Sequence, residues 1–232
     1  MDVNNDPTSP WILATLHTGT AIIYNYITKT KLKEFEVTNK PVRACKWIPR
    51  KGWILCGDDD GQLSVYDYNA NLLKQFPAHS DYIRSIAVHP ELPLILSCSD
   101  DKTIKLWDWE KEWQTIRTYS GHTHYVMRVV FNPHDSNCFA SASLDHSVKV
   151  WRLEKSSPLF TLQGHEQGVN TVEYHPLEKS YLISGGDEKT IKIWDYHTNT
   201  CLQSISGHGG NITSVVFHPG HPTIISAAED QE

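Results

Sequence analysis

Hydrophobic and polar residues alternate along short stretches of this chain, as they do in half-buried β-strands. The clearest stretches cover residues 103–107, 147–151 and 190–194, and each ends on a Trp. Turn-forming residues lie between the stretches. No stretch carries the 3.6-residue period of an amphipathic helix. The pattern therefore predicts an all-β chain of strands about five residues long.

The strands recur with a fixed period. Four histidines are spaced 43 residues apart, and an apolar strand, a Ser, an acidic turn and an aromatic residue follow each of the first three. These histidines are His79, His122, His165 and His208. Two earlier units, running to Tyr24 and Tyr66, are degenerate copies, and a last one is partial. Repeats of about 40–45 residues with Gly-His and Trp-Asp marks are typical of WD-repeat propeller blades.

The repeat predicts an incomplete WD-repeat β-propeller with four full blades and two partial ones. The full units are expected at residues 35–76, 77–118, 119–162 and 163–205, and the partial units at 1–34 and 206–232. A propeller removes free strand edges only by closing its ring. We therefore expect this chain to form an open arc that self-associates.

Composition excludes several functional classes. The 21 basic and 27 acidic residues give a net charge of −6, which argues against a nucleic-acid partner. No apolar run is long enough for a transmembrane helix, and the polar start is unlike a signal peptide. The five cysteines are odd in number and lack a Cys-x-x-Cys spacing. We expect them to be buried thiols of a protein from a reducing compartment.

The recurring His, Ser and acidic residues invite an enzymatic interpretation, because such residues can form a nucleophilic triad. A catalytic set is needed once, whereas this set recurs in four units. We therefore expect a structural hydrogen-bond chain from acid to His to Ser to Trp in each blade, and no enzymatic activity. The chain is expected to be slightly looser at Glu188, which replaces Asp. A metal site at His122 and His124 is a weak alternative, and no cofactor is expected.

The residue before each of these acids is expected to lie on one face of the blades, around a mouth of the central channel. These six residues are His17, Asp59, Asp100, Leu144, Asp187 and Glu229. Asp81, Tyr82 and Tyr125 are expected nearby, and Arg43 and Arg84 occupy matching places in adjacent blades. Two interpretations stay open. The face is either a solvated rim of mutually paired charges, or a peptide site whose ligand carries both positive charge and a carboxylate.

Several stretches contain matching residues beyond the repeat itself. They are KPVRACK (40–46), AHSDYIRSIAVHP (78–90), IKLWDW (104–109), GHTHYVM (121–127), FASASLD (139–145), FTLQGHEQGVN (160–170) and IKIWDY (191–196). In these stretches the chain resembles the first propeller of the coatomer beta-prime family, over nearly its whole length. The family's propeller has about seven blades and starts with a strand bearing further basic residues, which this chain lacks.

The resemblance implies a cytoplasmic subunit of the COPI vesicle coat at the Golgi membrane, acting in transport from Golgi to endoplasmic reticulum. It implies recognition of C-terminal dilysine tails of membrane cargo, with other coatomer subunits as partners and membrane association only through the coat. It places Arg43 at the tail carboxylate, Asp81 and Asp100 at the nearer lysine and Asp187 at the outer lysine. Three flanking residues follow less directly: Arg84, Tyr125 and His17. The alternative is a generic WD-repeat scaffold without a tail pocket.

Overall fold

A computed structural model describes residues 1–4 and 8–230 of the chain. The described residues form 22 β-strands and two short 3-10 helices, Pro49–Lys51 and Trp109–Lys111. They divide into two compact units, one of residues 1–88 and 99–101 and the other of residues 89–98 and 102–230. The strand content confirms the predicted all-β fold. No helix in the described ranges has the length and hydropathy to cross a membrane.

Unit 1 contains two four-stranded antiparallel sheets, β1–β4 and β5–β8, and the strand β9. Strand β1 is two residues long and pairs with β2. The strands are β1 Asp2–Val3, β2 Trp11–Thr15, β3 Thr20–Asn25, β4 Thr30–Glu36, β5 Val42–Ile48, β6 Trp53–Asp58, β7 Gln62–Asp67, β8 Leu72–Pro77 and β9 Ile83–Val88.

Unit 2 contains the antiparallel strands β10–β12, two four-stranded sheets, β13–β16 and β17–β20, and a final pair, β21–β22. Its strands are β10 Leu94–Ser99 (whose last residue belongs to unit 1), β11 Ile104–Asp108, β12 Gln114–Tyr119, β13 Val126–Phe131, β14 Cys138–Ser143, β15 Ser147–Arg152, β16 Phe160–Gln163, β17 Val169–Tyr174, β18 Tyr181–Gly186, β19 Thr190–Asp195, β20 Thr200–Ser206, β21 Ile212–Phe217 and β22 Ile224–Ala228. Five groups of four strands and one pair match an incomplete WD-repeat fold.

Each unit buries the apolar side chains that the alternation places on the inner faces of its sheets. In unit 1, Leu13 and Ile23 of the first sheet pack with Trp47 and Ile54 of the second. In unit 2, Val148 and Val150 pack with Trp194 and its neighbours in the next sheet. These blade-to-blade contacts bury the apolar area that stabilises the fold and position the polar turns between strands.

Candidate peptide-binding site

The predicted hydrogen-bond chain is present within unit 2. The Trp151 Nε1–H donates to Ser141 Oγ at 2.8 Å, Ser141 Oγ lies 2.7 Å from His122 Nε2, and His122 Nδ1 lies 2.7 Å from Asp145. An ionised carboxylate can only accept, so Nδ1 carries the proton of the neutral His122 imidazole and donates a hydrogen bond to Asp145. Nε2 is then an acceptor, and the Ser141 hydroxyl, which accepts from the indole, donates to it. The chain runs in one direction and satisfies every member.

The protonation states support this assignment. Burial lowers the pKa of His122, which favours its neutral form. Burial opposes ionisation of Asp145, but hydrogen bonds from His122, Ser147 and the Thr123 N–H hold the pKa of Asp145 well below its usual value. A Ser oxygen that is committed to a Trp and a His in the core is not an exposed nucleophile. The set is therefore part of the scaffold.

The same chain recurs with local variation. His165 bonds Glu188 and lies 2.6 Å from Ser184 Oγ, which accepts from Trp194 at 2.8 Å. Thr190 bonds this acid at 2.7 Å, as Ser147 bonds Asp145 in the preceding blade. Among the described residues Glu188 Oε2 is buried without a hydrogen-bond partner, so the slightly looser turn at Glu188 stays a prediction. The longer side chain fits because residue 186 is a glycine, where a Cβ would lie 2.6 Å from Glu188 Oε2.

A main-chain bond fixes the residue before each acid. Its N–H donates to a carbonyl near the start of the same blade: Asp59 to Pro41 at 3.1 Å, Asp100 to Tyr82 at 3.0 Å, Leu144 to Tyr125 at 3.0 Å and Asp187 to Gly168 at 2.8 Å. Because the bond repeats, this position has the same backbone placement in successive blades. Only the side chain that it presents differs.

A β-bulge orients the side chain that faces this turn. The register of β5 against β6 shifts between Val42 and Ala44, which leaves Arg43 as the extra residue. Equivalent shifts leave out Met127, Asn170 and Thr213 in later blades. A bulged residue points away from the regular alternation of its strand, and bulges frequently re-aim functional side chains. Here the bulge turns Arg43 toward the turn that carries Asp59.

Unit 1 holds two arginine–aspartate pairs. Arg43 donates from Nε and Nη2 to the two oxygens of Asp59, at 2.6 and 2.8 Å. Arg84 donates from the same two nitrogens to Asp100, at 2.7 and 2.5 Å. The acids lie inside, with side chains 7% and 3% exposed, while the arginines are 25% and 20% exposed. Both pairs are the bidentate type that guanidinium geometry favours.

Tyr82 joins the two pairs. The guanidinium carbons of Arg43 and Arg84 lie 5.4 and 5.6 Å from the centroid of its ring, within cation–π range. The ring is 39% exposed. Next to it, one carboxylate oxygen of Asp81 accepts the Tyr82 N–H at 2.8 Å. The hydrogen bond with Asp100 raises the pKa of Arg84, and the charges of Asp59 and Asp81 act in the same direction.

The structure thus brings together four of the seven predicted site residues, Arg43, Asp81, Arg84 and Asp100. His17 lies in the exposed turn between β2 and β3 of the same unit. The other two belong to unit 2. Tyr125 packs its ring on His124, and Asp187 accepts a hydrogen bond from Asn170 Nδ2 at 2.7 Å.

Pairing of charges on this face was one of the two interpretations of the sequence. Sequence reasoning did not identify Asp59 as the partner of Arg43, or Tyr82 as the link between the two pairs. A usable signal exists, because each Arg precedes its Asp by 16 residues in adjacent units. The pairing also gives Arg43 and Asp100, two of the predicted site residues, internal counterions.

The burial of the cysteines differs from the prediction at one position. Four cysteines are buried in strands as expected, but Cys201 is exposed, so the expectation of five buried thiols is wrong for Cys201. It lies on β20, the outer strand of its sheet, where it pairs with Trp194 of β19. Within the described ranges, no cluster of three or more His, Cys, Asp or Glu has the arrangement of a metal site.

Comparison with known proteins agrees with this architecture. The family model "WD domain, G-beta repeat" matches residues 29–67, 70–108, 113–152, 156–195 and 199–232. The chain belongs to the WD-repeat family.

Among curated proteins the chain is similar to coatomer subunits beta' of Homo sapiens and Rattus norvegicus, each 52% identical over 162 residues. It is 53% identical to coatomer subunit beta'-1 of Arabidopsis thaliana over 161 residues. These matches cover 69% of this chain but only 18% of each relative. The chain thus spans less than a fifth of the length of these relatives.

Proposed function

We propose that this chain recognises C-terminal dilysine tails of membrane cargo for retrieval from the Golgi to the endoplasmic reticulum. The observation that carries the proposal is the cluster around Tyr82. It offers guanidinium groups and the carboxylate of Asp81 within one small area of unit 1. A ligand that suits such a surface carries both a carboxylate and an ammonium group, as a lysine-containing C-terminal tail does.

In this proposal Arg43 binds the tail carboxylate, Asp81 and Asp100 bind the nearer lysine, and Asp187 binds the outer lysine. Arg84, Tyr125 and His17 flank the tail. In an extended tail the lysine three residues before the end lies about 10 Å from the carboxylate. Exposed charge pairs contribute about 1 kcal/mol or less each, so binding is expected to be modest and weakened by salt.

The relatives support a cellular setting for this proposal. Because they are coatomer subunits, we place this chain on the cytoplasmic side of Golgi membranes as a peripheral part of the COPI coat. Its partners are then cargo tails and other coatomer subunits, and the coat provides its contact with the membrane. The proposal assigns no catalytic role, no cofactor and no nucleic-acid partner.

The alternative function is that of a WD-repeat scaffold that binds a protein partner elsewhere. One observation favours it. Arg43 and Arg84 already have internal counterions in Asp59 and Asp100, which is how a solvated rim of paired charges would look. The two functions differ in whether the cluster binds a free carboxylate.

The deciding experiment is a calorimetric titration with a peptide ending Lys-Ala-Lys-Ala-Ala and with its C-terminally amidated twin, at low and physiological salt. Tail recognition requires weaker binding of the amide, and indifference to amidation supports the scaffold. Arg43→Gln should remove the difference between the two peptides. Asp81→Asn should weaken both about fivefold, which corresponds to one exposed charge pair.

Charge reversal at Asp100 is a poor test. The side chain is nearly buried and paired with Arg84, so a lysine there would place two cations together in a desolvated position and destabilise the fold. Asp81 is partly exposed and lacks such a pairing among the described residues. A variant at Asp81 therefore reports on binding rather than on folding. A peptide with both lysines replaced by alanine is the matched ligand control.

A further inference from the structure

We propose that Asp59 is a positioning residue for the ligand carboxylate, because it fixes the guanidinium of Arg43 in the orientation that binds it. This inference rests on the proposed function. The Asp59 carboxylate engages one edge of the guanidinium, formed by Nε and Nη2. The other edge, formed by Nη1 and the second hydrogen of Nη2, has no protein acceptor within the described residues.

A guanidinium can bind one carboxylate along each of these edges, since both present two parallel N–H groups at carboxylate spacing. The Asp59 side chain is 7% exposed and that of Arg43 is 25% exposed, so Asp59 lies on the more buried side of the pair. The unengaged edge is the one left for a ligand carboxylate.

The backbone keeps Asp59 itself in place. Its N–H donates to the Pro41 carbonyl at 3.1 Å. The turn that follows is closed by Asp58, whose side chain accepts the N–H groups of Asp60 and Gln62 at 3.0 and 2.9 Å. Gly61 has a φ of +71°, and a Cβ there would lie 2.2 Å from the His79 carbonyl oxygen. The turn is therefore confined to this conformation.

Fixing Arg43 matters because the pair has no net charge. Attraction for a second carboxylate then depends on hydrogen-bond geometry rather than on charge alone. An unrestrained arginine would lose rotamer freedom on binding, and pre-organisation removes that loss. Tyr82 supports the same orientation, because its ring lies against the guanidinium.

The test uses the same substitution at equivalent positions in two adjacent blades. Asp59→Asn keeps the size of the side chain but replaces one acceptor oxygen with an NH₂ group, which cannot accept from Arg43. Asp100→Asn makes the same change beside Arg84. Each variant is titrated with the free-carboxylate peptide ending Lys-Ala-Lys-Ala-Ala and with its amide, and the ratio of the two affinities is the readout.

We expect the parent chain to prefer the free carboxylate about tenfold, as loss of one charge-assisted hydrogen bond implies. Asp59→Asn should reduce this ratio to within about twofold of unity. Asp100→Asn should weaken both peptides while keeping the ratio. Asp59→Glu, which restores both acceptor oxygens, should recover most of the preference. A merely structural role of Asp59 would change both affinities together and leave the ratio intact.

The outcomes separate the two proposals. If the parent chain shows no preference for the free carboxylate, the proposed function is wrong. If the parent shows the preference and Asp59→Asn keeps or increases it, Asp59 is not a positioning residue, and an increase would identify it as a competitor for Arg43. Should Asp59→Asn not fold, Arg43→Lys gives a second reading. Lysine keeps the charge but lacks the two parallel N–H edges of a guanidinium. If that variant kept the ratio of the two peptide affinities, the inference would be wrong.

Discussion

The two units present different side chains from the same main-chain frame. In unit 1 the first-strand position opposite the turn carries an arginine that pairs with the aspartate of the turn, in both blades. At the same places unit 2 carries Met127 with Leu144, and Asn170 with Asp187. The hydrogen bond that holds the turn residue is nearly unchanged, at 3.1 and 3.0 Å in unit 1 and 3.0 and 2.8 Å in unit 2.

This difference separates the scaffold from the surface that it displays. An arginine partner neutralises Asp59 and Asp100, whereas the amide of Asn170 binds Asp187 without cancelling its charge. The repeat therefore fixes where a side chain is presented, and the residue type decides which charge a ligand meets. Changes to the scaffold should alter mainly stability, and changes to the displayed pairs should alter mainly binding.

The largest effect is expected from the scaffold at Trp151, which is fully buried and donates to Ser141. Trp151→Ala should lower the free energy of unfolding by about 3–5 kcal/mol. Trp151→Phe keeps much of the apolar volume and should cost about 1 kcal/mol for the lost hydrogen bond, plus a small packing loss. Chemical denaturation of both variants and of Arg43→Gln measures the three free energies of unfolding. If Arg43→Gln destabilises the chain as much as Trp151→Ala, the scaffold and the displayed pairs do not act independently.

The scaffold and the displayed pairs also differ in how far the sequence predicts them. Spacing along the chain was enough for His122, Ser141, Asp145 and Trp151, because neighbouring units repeat these residue types at nearly the same intervals. The pair of Arg43 with Asp59 depends on a β-bulge, and the residue types in that strand do not predict a bulge. An arc of mixed charges allows several pairings, and only the register selects one. The exposed Cys201 was missed because its strand is the outermost of its sheet.

A second scaffold effect concerns the blade in which glutamate replaces aspartate. A Cβ at Gly186 would lie 2.6 Å from Glu188 Oε2, whereas the preceding blade has Ser143 with Asp145. Gly186→Ser should cost about 1–3 kcal/mol through overpacking. Adding Glu188→Asp should relieve part of that cost, with a coupling energy of about 1 kcal/mol or more. Additive effects in this double-mutant cycle would show that the two positions are independent.

The hydrogen-bond chain also predicts how stability depends on pH. An unfolded histidine titrates near pH 6.5, and burial lowers the pKa of His122 in the folded chain. Below about pH 6.5 the unfolded chain therefore binds a proton that the folded chain does not, so stability decreases as the pH falls. Asp145, whose folded pKa is depressed, adds a further loss only below its unfolded value of about 3.9.

Melting temperatures between pH 7.5 and 5 test this in the parent and in His122→Asn. The variant should be less stable at pH 7.5 and should lose less on acidification, because its side chain does not titrate. His146→Gln is the control, since His146 is exposed. An unchanged pH dependence in His122→Asn would mean that other groups control acid stability.

The smallest effect is expected from moving the displayed pair of one unit into the other. Asn170→Arg gives Asp187 the guanidinium partner that Asp59 and Asp100 already have. The fold should tolerate it with a loss of about 1 kcal/mol, since Asn170 also donates to the Ile212 carbonyl at 3.0 Å. If Asp187 binds the outer lysine, its neutralisation should weaken the Lys-Ala-Lys-Ala-Ala peptide severalfold, which corresponds to about 1 kcal/mol. A peptide with alanine in place of the outer lysine should bind the parent and the variant equally. Equal weakening of both peptides would place the effect outside the outer lysine and would remove Asp187 from the proposed site.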